Sequence, residues 1–367
     1  MEIRCIHTGD LHLGMEFKNA SFDKKQANTR RLELWETFNR IIDRCKETKT
    51  QILLIAGDLF EDEYCSIADV KRIDNKFREI SDTKVVISAG NHDTLGKRSL
   101  YKLIKWGDNV HIFEPNCISN IELNDINVVI WGLSWDKKLE RDSLLDGIKV
   151  EDTSKTNILL VHGDALSKDS EYLPMDKNSL INSRFNYIAL GHIHKHQFIS
   201  DNISYCGSPE PLDFGETGSH GIIEGIISSD ETKMSFKPFA KREFIIKEIT
   251  IKDNMSYNEI IDSIKSIDNK ENRMMNLYRV IILGTRDSHI NIDVKDIKEY
   301  LINEFYYIDI IDKTTPDYDL DKIYQENSNN IIGLFIKEME KKGLDEEIVR
   351  NALYYGLEVL LSEKVKR

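Results

Sequence analysis

Val85-Val86-Ile87-Ser88-Ala89-Gly90-Asn91-His92-Asp93 is the stretch on which the fold turns. Its first five residues read as a buried strand. Gly90 lets the chain turn where a side chain would obstruct it. Three polar residues are then set out at the strand's C-terminal end, the edge at which open α/β sheets bind ligands. The same order of residues recurs along the chain. Gly9-Asp10-Leu11-His12 follows a strand over 2–8, and Gly57-Asp58 follows Gln51-Ile52-Leu53-Leu54-Ile55-Ala56. His162-Gly163 follows Asn157-Ile158-Leu159-Leu160-Val161, and Gly191-His192-Ile193-His194 follows Asn186-Tyr187-Ile188-Ala189-Leu190.

Between the strands lie helical patterns. Leu32, Trp35, Phe38, Ile41, Ile42 and Cys45 recur at helical spacing and predict an amphipathic helix over roughly 26–48. A charged helix is expected near 66–80 and a short one around 97–106. Strand–helix alternation with near-continuous apolar strands implies parallel pairing and helices on the sheet faces, an α/β fold. Shorter strands follow at 117–123 and 127–133. The stretch 203–238 reads as edge strands around a tight loop, Gly207-Ser208-Pro209-Glu210-Pro211.

The pattern changes near Ala240. Strand (244–251), helix (256–268), strand (277–284), helix (292–303) and strand (306–312) read as a smaller α+β unit without any of the five acid/histidine clusters. Residues 330–366 read as two helices split at Gly343, the second opening on Leu344-Asp345-Glu346-Glu347 with acids near its positive end. The expected domains are 1–240, 241–320 and a helical C-terminal segment, 321–367.

Bulk properties bound the function. The 367 residues are 40% hydrophobic and 31% charged, as in a soluble globular protein. No apolar run is long enough to span a bilayer, and the N-terminal segment lacks a signal-peptide pattern. Five scattered cysteines without a C-x-x-C pair read as reduced thiols of a cytoplasmic protein. A net charge of −13 argues against non-specific wrapping of nucleic acid, which needs Lys and Arg. It leaves room for a local basic groove.

The polar residues at the strand ends form one set: Asp10, His12, Asp58, Asn91, His162, His192 and His194. Carboxylate, imidazole and amide oxygen together suit Mn²⁺, Fe²⁺ or Zn²⁺. The absence of thiolate speaks against a structural zinc cage. Seven donors are too many for one ion and suit two ions about 3.5–4 Å apart that share a carboxylate. Any one of these residues has an ordinary reading, as a surface histidine or a turn aspartate. Together they do not, since five of the ten histidines fall just beyond apolar strands. His7, His111, His196, His220 and His289 read as structural or surface residues.

The order D-x-H, G-D, G-N-H-D, H-G, G-H-x-H resembles the calcineurin-like metallophosphoesterases, in which a sandwich of sheets is flanked by helices. Within them, His7-Thr8-Gly9-Asp10-Leu11-His12-Leu13-Gly14, Ala56-Gly57-Asp58-Leu59-Phe60 and Gly207-Ser208-Pro209-Glu210-Pro211 resemble the SbcD-type DNA repair exonucleases, nearest the YhaO-like branch. Gly57-Asp58-Leu59-Phe60-Glu61-Asp62-Glu63 lacks the Arg of the phosphoprotein phosphatase branch. The likeness covers residues 1–240 in motif and the remainder only in layout.

The resemblance implies that Asp10, His12, Asp58 and His194 hold one ion, and Asp58, Asn91, His162 and His192 a second. Mn²⁺ is the first candidate for both. His92 would be the catalytic acid that protonates the leaving oxygen. The implied activity is hydrolysis of DNA phosphodiester bonds in repair, beside an SMC-like coiled-coil ATPase. The cap would restrict access, and helices 66–80 and 97–106 would either pair two subunits into a homodimer or merely cover the sheet. Lys18, Lys24, Lys25, Arg30, Arg31, Lys97, Arg98, Lys102 and Lys105 would line a DNA path or form solvated helix faces. Apolar stripes at Ile332, Phe335, Ile336 and Met339, and at Val349, Leu353, Leu357 and Leu360, would pack internally or dock the ATPase. Two other functions stay open: a phosphodiesterase for a small nucleotide or other phosphoester, and a non-catalytic scaffold for the ATPase.

Overall fold

Strands β1 (Ile3–Thr8), β2 (Ile52–Ile55), β3 (Lys84–Ile87) and β4 (Val110–Ile112) pair in parallel. They can do so because helices α1 (Lys24–Thr48) and α2 (Ile67–Arg78) carry the chain back to the starting edge between them. The computed structural model describes residues 1–17, 22–145, 147–344 and 346–365. A second sheet is built from β5 (Ser119–Leu123), β6 (Val128–Gly132), β7 (Thr156–His162), β8 (Tyr187–Gly191), β9 (Gln197–Ser200) and β10 (Ile203–Tyr205), with α3 (Lys177–Ile181) before β8. The chain then returns through β11 (Gly221–Ile227) and β12 (Thr232–Pro238) to the first sheet. The strand orders are β12-β11-β1-β2-β3-β4 and β5-β6-β7-β8-β10-β9.

Alternation along β2 shows how the layers stack. Leu53 and Ile55 pack with Trp35, Phe38, Ile41 and Phe77 of the two long helices. Ile52 and Leu54 pack with Ile130, Ile158, Leu160 and Ala189 of the second sheet. On that sheet's far side, Leu159, Val161, Ile188 and Leu190 meet Leu180, Phe185 and Trp135. Each sheet therefore has helix or loop on one face and the other sheet on its second face. The residues alone pointed to helices on the sheet faces, because an apolar strand records that both faces are covered and not by what.

Helix α1 starts at a capping box between Asp23 and Gln26. Its buried face is Leu34, Trp35, Phe38, Ile41, Ile42 and Cys45, whereas Leu32, expected there, is exposed. Two further expectations change. The 97–106 helix is a single 3₁₀ turn, Leu100–Leu103. Of the strands expected at an edge, β10 lies between β8 and β9, and β11 between β1 and β12.

The chain divides into two compact units, Met1–Phe244 and Ile245–Arg367. In the second, β13 (Phe244–Ile251), α4 (Tyr257–Lys265), α5 (Lys270–Met275), β14 (Leu277–Asp287), α6 (Val294–Tyr300), β15 (Tyr307–Asp312) and β16 (Thr315–Asp317) follow one another. Ile251, Ile260, Ile264, Tyr278, Ile297 and Ile310 form its core. Helices α7 (Leu320–Asn327), α8 (Ile331–Glu340) and α9 (Glu347–Val365) close the chain, packed through Ile332, Ile336, Leu353 and Leu357. Both apolar stripes thus pack on each other. Asp345, expected to start the last helix, lies outside the described residues. Among the described residues no helix is long and apolar enough to cross a membrane.

Candidate metal centre

The loops that follow β1, β2, β3, β7 and β8 meet at one place. The approach is close: a Cβ on Gly191 would lie 1.8 Å from the Ala56 carbonyl oxygen, and one on Gly57 (φ +86°) 2.3 Å from Nδ1 of His162. Side chains are excluded there for lack of space as well as for the turn. Asp10, His12, Asp58 and His192 take φ of 49°, 46°, 50° and 94°, a costly conformation for residues with a side chain. Strain is thus concentrated on residues of the expected donor set.

Asp10, His12 and His194 bring one donor atom each within 4.8 Å of one another, and so do Asp10, Asp58 and His162. Asn91 joins them, its Oδ1 2.8 Å from Nε2 of His162. Oδ2 of Asp58 lies between the histidines, 3.8 Å from Nε2 of His12 and 3.4 Å from Nε2 of His162. The ring of His192 stands outside both triads, packed against His162 at 5.2 Å and Tyr172 at 4.6 Å between centroids. Its backbone N–H donates to both carboxylate oxygens of Asp10 at 3.1 Å. The structure therefore gathers six of the seven expected donor side chains, with the seventh adjacent.

The donor chemistry fits divalent cations. Nδ1 of His12 faces Glu61 Oε1 at 2.7 Å, that of His194 faces Glu216 Oε1 at 2.6 Å, and that of His162 faces the Ala56 carbonyl at 2.9 Å. Each acceptor places the ring proton on Nδ1 and leaves the Nε2 lone pair turned into the cluster, the arrangement of a metal-ligating histidine. Nε2 of His12 and Nε2 of His194 come within 3.2 Å. Two lone pairs at that separation repel unless a proton or a cation sits between them.

The charges agree. Asp10 and Asp58 are buried, and among the described residues no Lys or Arg nitrogen lies within salt-bridge distance of them. Burial raises the Asp10 carboxyl against the pull of His194 and His162. At Asp58 burial also pushes upward, but His162, His12 and His92 outweigh it and hold the group at about 2. Burial lowers His194, but Glu216 and Asp10 prevail and bring it to about 9. The cluster draws positive charge to itself.

His92 sits beside this cluster with its ring 4.8 Å from that of His12 and its side chain 45% exposed. Its backbone N–H donates to Asp58 Oδ1 at 2.9 Å. Its Nδ1 faces Glu61 Oε2 at 3.0 Å, and this bond, set against burial, raises it to about 9.

Three carboxylates had not been singled out. Glu61 and Glu216 orient histidines. Asp93, fully buried, accepts from the N–H groups of Asp58 (3.2 Å), Leu59 (2.8 Å) and Gly90 (2.6 Å) and from the Tyr101 hydroxyl (2.7 Å), which ties the second loop to the third. Only Asp93 carried a local signal, as the last residue of the Gly90–Asp93 run.

The basic residues need one correction. Arg30 is fully buried, bound to Glu33 and Glu210, and cannot line a DNA path. Lys18 lies outside the described residues, while Lys24, Lys25, Lys97, Arg98, Lys102 and Lys105 are exposed. Of the remaining histidines, His289 is exposed and His111 packs on Phe113. His7 bonds the Tyr187 hydroxyl, His196 stacks on Phe236, and His220 bonds Ser208.

Residues 3–196 match the family model described as calcineurin-like phosphoesterase. Over 290 residues the chain is 28% identical to the DNA double-strand break repair protein Mre11 of Methanocaldococcus jannaschii, covering 72% of this chain and 74% of that protein. Over 247 residues it is 27% identical to an uncharacterised metallophosphoesterase, YhaO, of Bacillus subtilis, covering 64% of this chain and 60% of that protein. The family model spans more than half of the chain, including both donor triads: the chain belongs to the calcineurin-like phosphoesterases.

Proposed function

We propose that the chain is a dimetal phosphodiesterase that cuts DNA in repair. The observation that carries the dimetal reading is the Asp58 oxygen held between His12 and His162, with His92 alongside. Asp10, His12, Asp58 and His194 would hold one cation, and Asp58, Asn91, His162 and His192 the other, Mn²⁺ being the first candidate. When bound, the cations supply Lewis-acid activation of water and neutralise charge on the phosphoryl oxygens. His92 gives its proton to the leaving oxygen. Gly57, Gly90 and Gly191 keep the loops close.

DNA as substrate rests on the likeness to a DNA double-strand break repair protein, and a coiled-coil ATPase partner on the resemblance of the motifs to the SbcD-type exonucleases. Residues 241–320 belong to the same reading as a capping domain. A homodimer through α2 and the 100–103 turn, where Ile67 and Leu103 are exposed, belongs to the same reading. Five free thiols support a cytoplasmic setting.

The test is cleavage of linear duplex and single-stranded DNA by the purified chain with Mn²⁺. His92→Ala should bind the metal as the parent does and lose about 10²–10⁴-fold in turnover. A fully active or metal-free variant would remove His92 from this role. A net charge of −13 favours a second reading, a small phosphodiester as substrate. Hydrolysis of bis(4-nitrophenyl) phosphate without DNA cleavage would select it.

A further inference from the structure

The ladder along β14 is interrupted. It pairs with β15 from Leu277 to Ile282 and with β16 from Thr285 to Asp287. Leu283 and Gly284 on one side, and Lys313 and Thr314 on the other, fall in the gap. Gly284 takes φ +98°, and a Cβ there would lie 2.2 Å from the Ile251 carbonyl oxygen. Opposite it, the Thr314 N–H is drawn to Asp312 Oδ1 at 2.8 Å. Helix α9 passes over the gap with Asn351, Tyr354, Tyr355 and Glu358, which fall at i, i+3, i+4 and i+7 on one face. Leu353 and Leu357, on another face, pack on α8. The ion pair from Arg286 to Glu358 and the stack of Tyr318 on Tyr354, 5.9 Å between centroids, hold the helix there. A cavity of about 620 Å³ lies between the helix and the sheet, a size that suits a small ligand.

The two walls differ in chemistry. The sheet wall offers the Lys313 ammonium and the hydroxyls of Thr285, Thr314 and Thr315. Lys313 makes no ion pair among the described residues. The Thr314 hydroxyl oxygen is buried without a hydrogen-bond partner among them, which is uncommon for a buried polar atom. The helix wall offers the Asn351 amide and two tyrosine rings. Tyr354 is taken by Tyr318, but the Tyr355 ring, 74% exposed, has no ring or cation against it among the described residues. Glu358 adds no net charge, because Arg286 pairs with it.

We propose that this cavity binds a free nucleotide, with its phosphate at Lys313 and Thr314, its base on Tyr355 and Asn351 at the base edge. An ammonium beside hydroxyls holds phosphate through charge-assisted hydrogen bonds. A tyrosine face takes any base by stacking. A carboxamide both donates and accepts, as a base edge does. No bond forms or breaks here. None of these residues belongs to Met1–Phe244, so the site stands whether or not the metal centre cuts phosphodiesters.

Titration calorimetry of the full-length chain in EDTA, with AMP, CMP, adenosine and inorganic phosphate, tests the site. Both nucleotides should bind more tightly than adenosine or phosphate. Tyr355→Ala should weaken AMP by about 5–100-fold and leave phosphate as it was. Lys313→Ala should bring AMP down to the affinity of adenosine. Both side chains are exposed, so circular dichroism should not change. The proposal is overturned if neither nucleotide binds, or if either substitution leaves AMP binding unaltered, as it would for a nucleotide held at the metal centre. Phosphate bound as tightly as AMP would reduce the cavity to an anion site and overturn it as well.

Discussion

His12, His162 and His194 each give Nδ1 to an oxygen and turn Nε2 inward, and the acceptors differ in how replaceable they are. The Ala56 carbonyl is backbone, but Glu216 is a side chain that also accepts from the Leu212 N–H at 2.9 Å and the Ser208 hydroxyl at 3.2 Å. Glu216→Gln should weaken Mn²⁺ binding by about 10–100-fold, measured by titration calorimetry, with circular dichroism unchanged. An unaltered affinity would show that His194 is oriented without it. The residues of the cluster were legible in sequence because each stands next to the strand that places it. Glu216 was not, being 22 residues from the histidine it holds. Glu61 was hidden for another reason: an acid in a turn reads as a surface residue, and only the fold buries it against two histidines.

Among elements, the loop over 207–211 and helix α1 are joined by buried charge. Arg30 donates to Glu33 at 2.6 Å, to Glu210 at 3.3 Å and to the Pro211 carbonyl at 2.9 Å, while Glu210 also accepts from the Thr37 hydroxyl and the Lys241 N–H, both at 2.6 Å. Removing the cation leaves two buried carboxylates short of a partner. Arg30→Ala should cost about 3–5 kcal/mol in urea denaturation, and a loss below 1 kcal/mol would mean that water or Arg242 takes its place. A lighter pairing joins β14, β15 and α6. Asp309 accepts from Arg279 and from Lys298, both at 2.9 Å. Burial pushes this carboxyl up, but the two cations outweigh it and hold it below its ordinary value of 3.8. A lowered folded-state value stabilises above the ordinary one and is lost as pH falls through the folded one. Asp309→Asn should therefore cost about 0.5–1 kcal/mol at pH 7 and much less near pH 2. A constant difference across that range would contradict the pairing. Element type was legible from periodicity, but neighbours were not. β10 is a three-residue run and β11 a seven-residue one, and nothing local records that β9, which precedes β10, and β12, which follows β11, pair outside them.

For the whole molecule, every group assigned to the chemistry, from Asp10 to Glu216, lies within Met1–Phe244. The three cores there are made of that segment's own residues. Residues 1–244 made alone should fold and bind Mn²⁺ as the full chain does, checked by circular dichroism and metal titration. Loss of either would show that the later residues complete the centre. The change of pattern near Ala240 could be read where the acid/histidine clusters stop, whereas the helical segment 321–367, expected as a third part, falls within Ile245–Arg367. The stacking of sheet on sheet could not be read from residues, since both arrangements bury the same strands. The centre also draws on both sheets: Asp10, His12, Asp58 and Asn91 come from the first, His162 and His194 from the second. That division sets a clock during synthesis. At about 5–20 residues per second, the ribosome delivers His194 roughly 5–20 s after Asn91. A chain released early, before His162, carries four of the seven expected donors and lacks β8, β9 and β10 of the opposing sheet, so an aborted translation product is born inert.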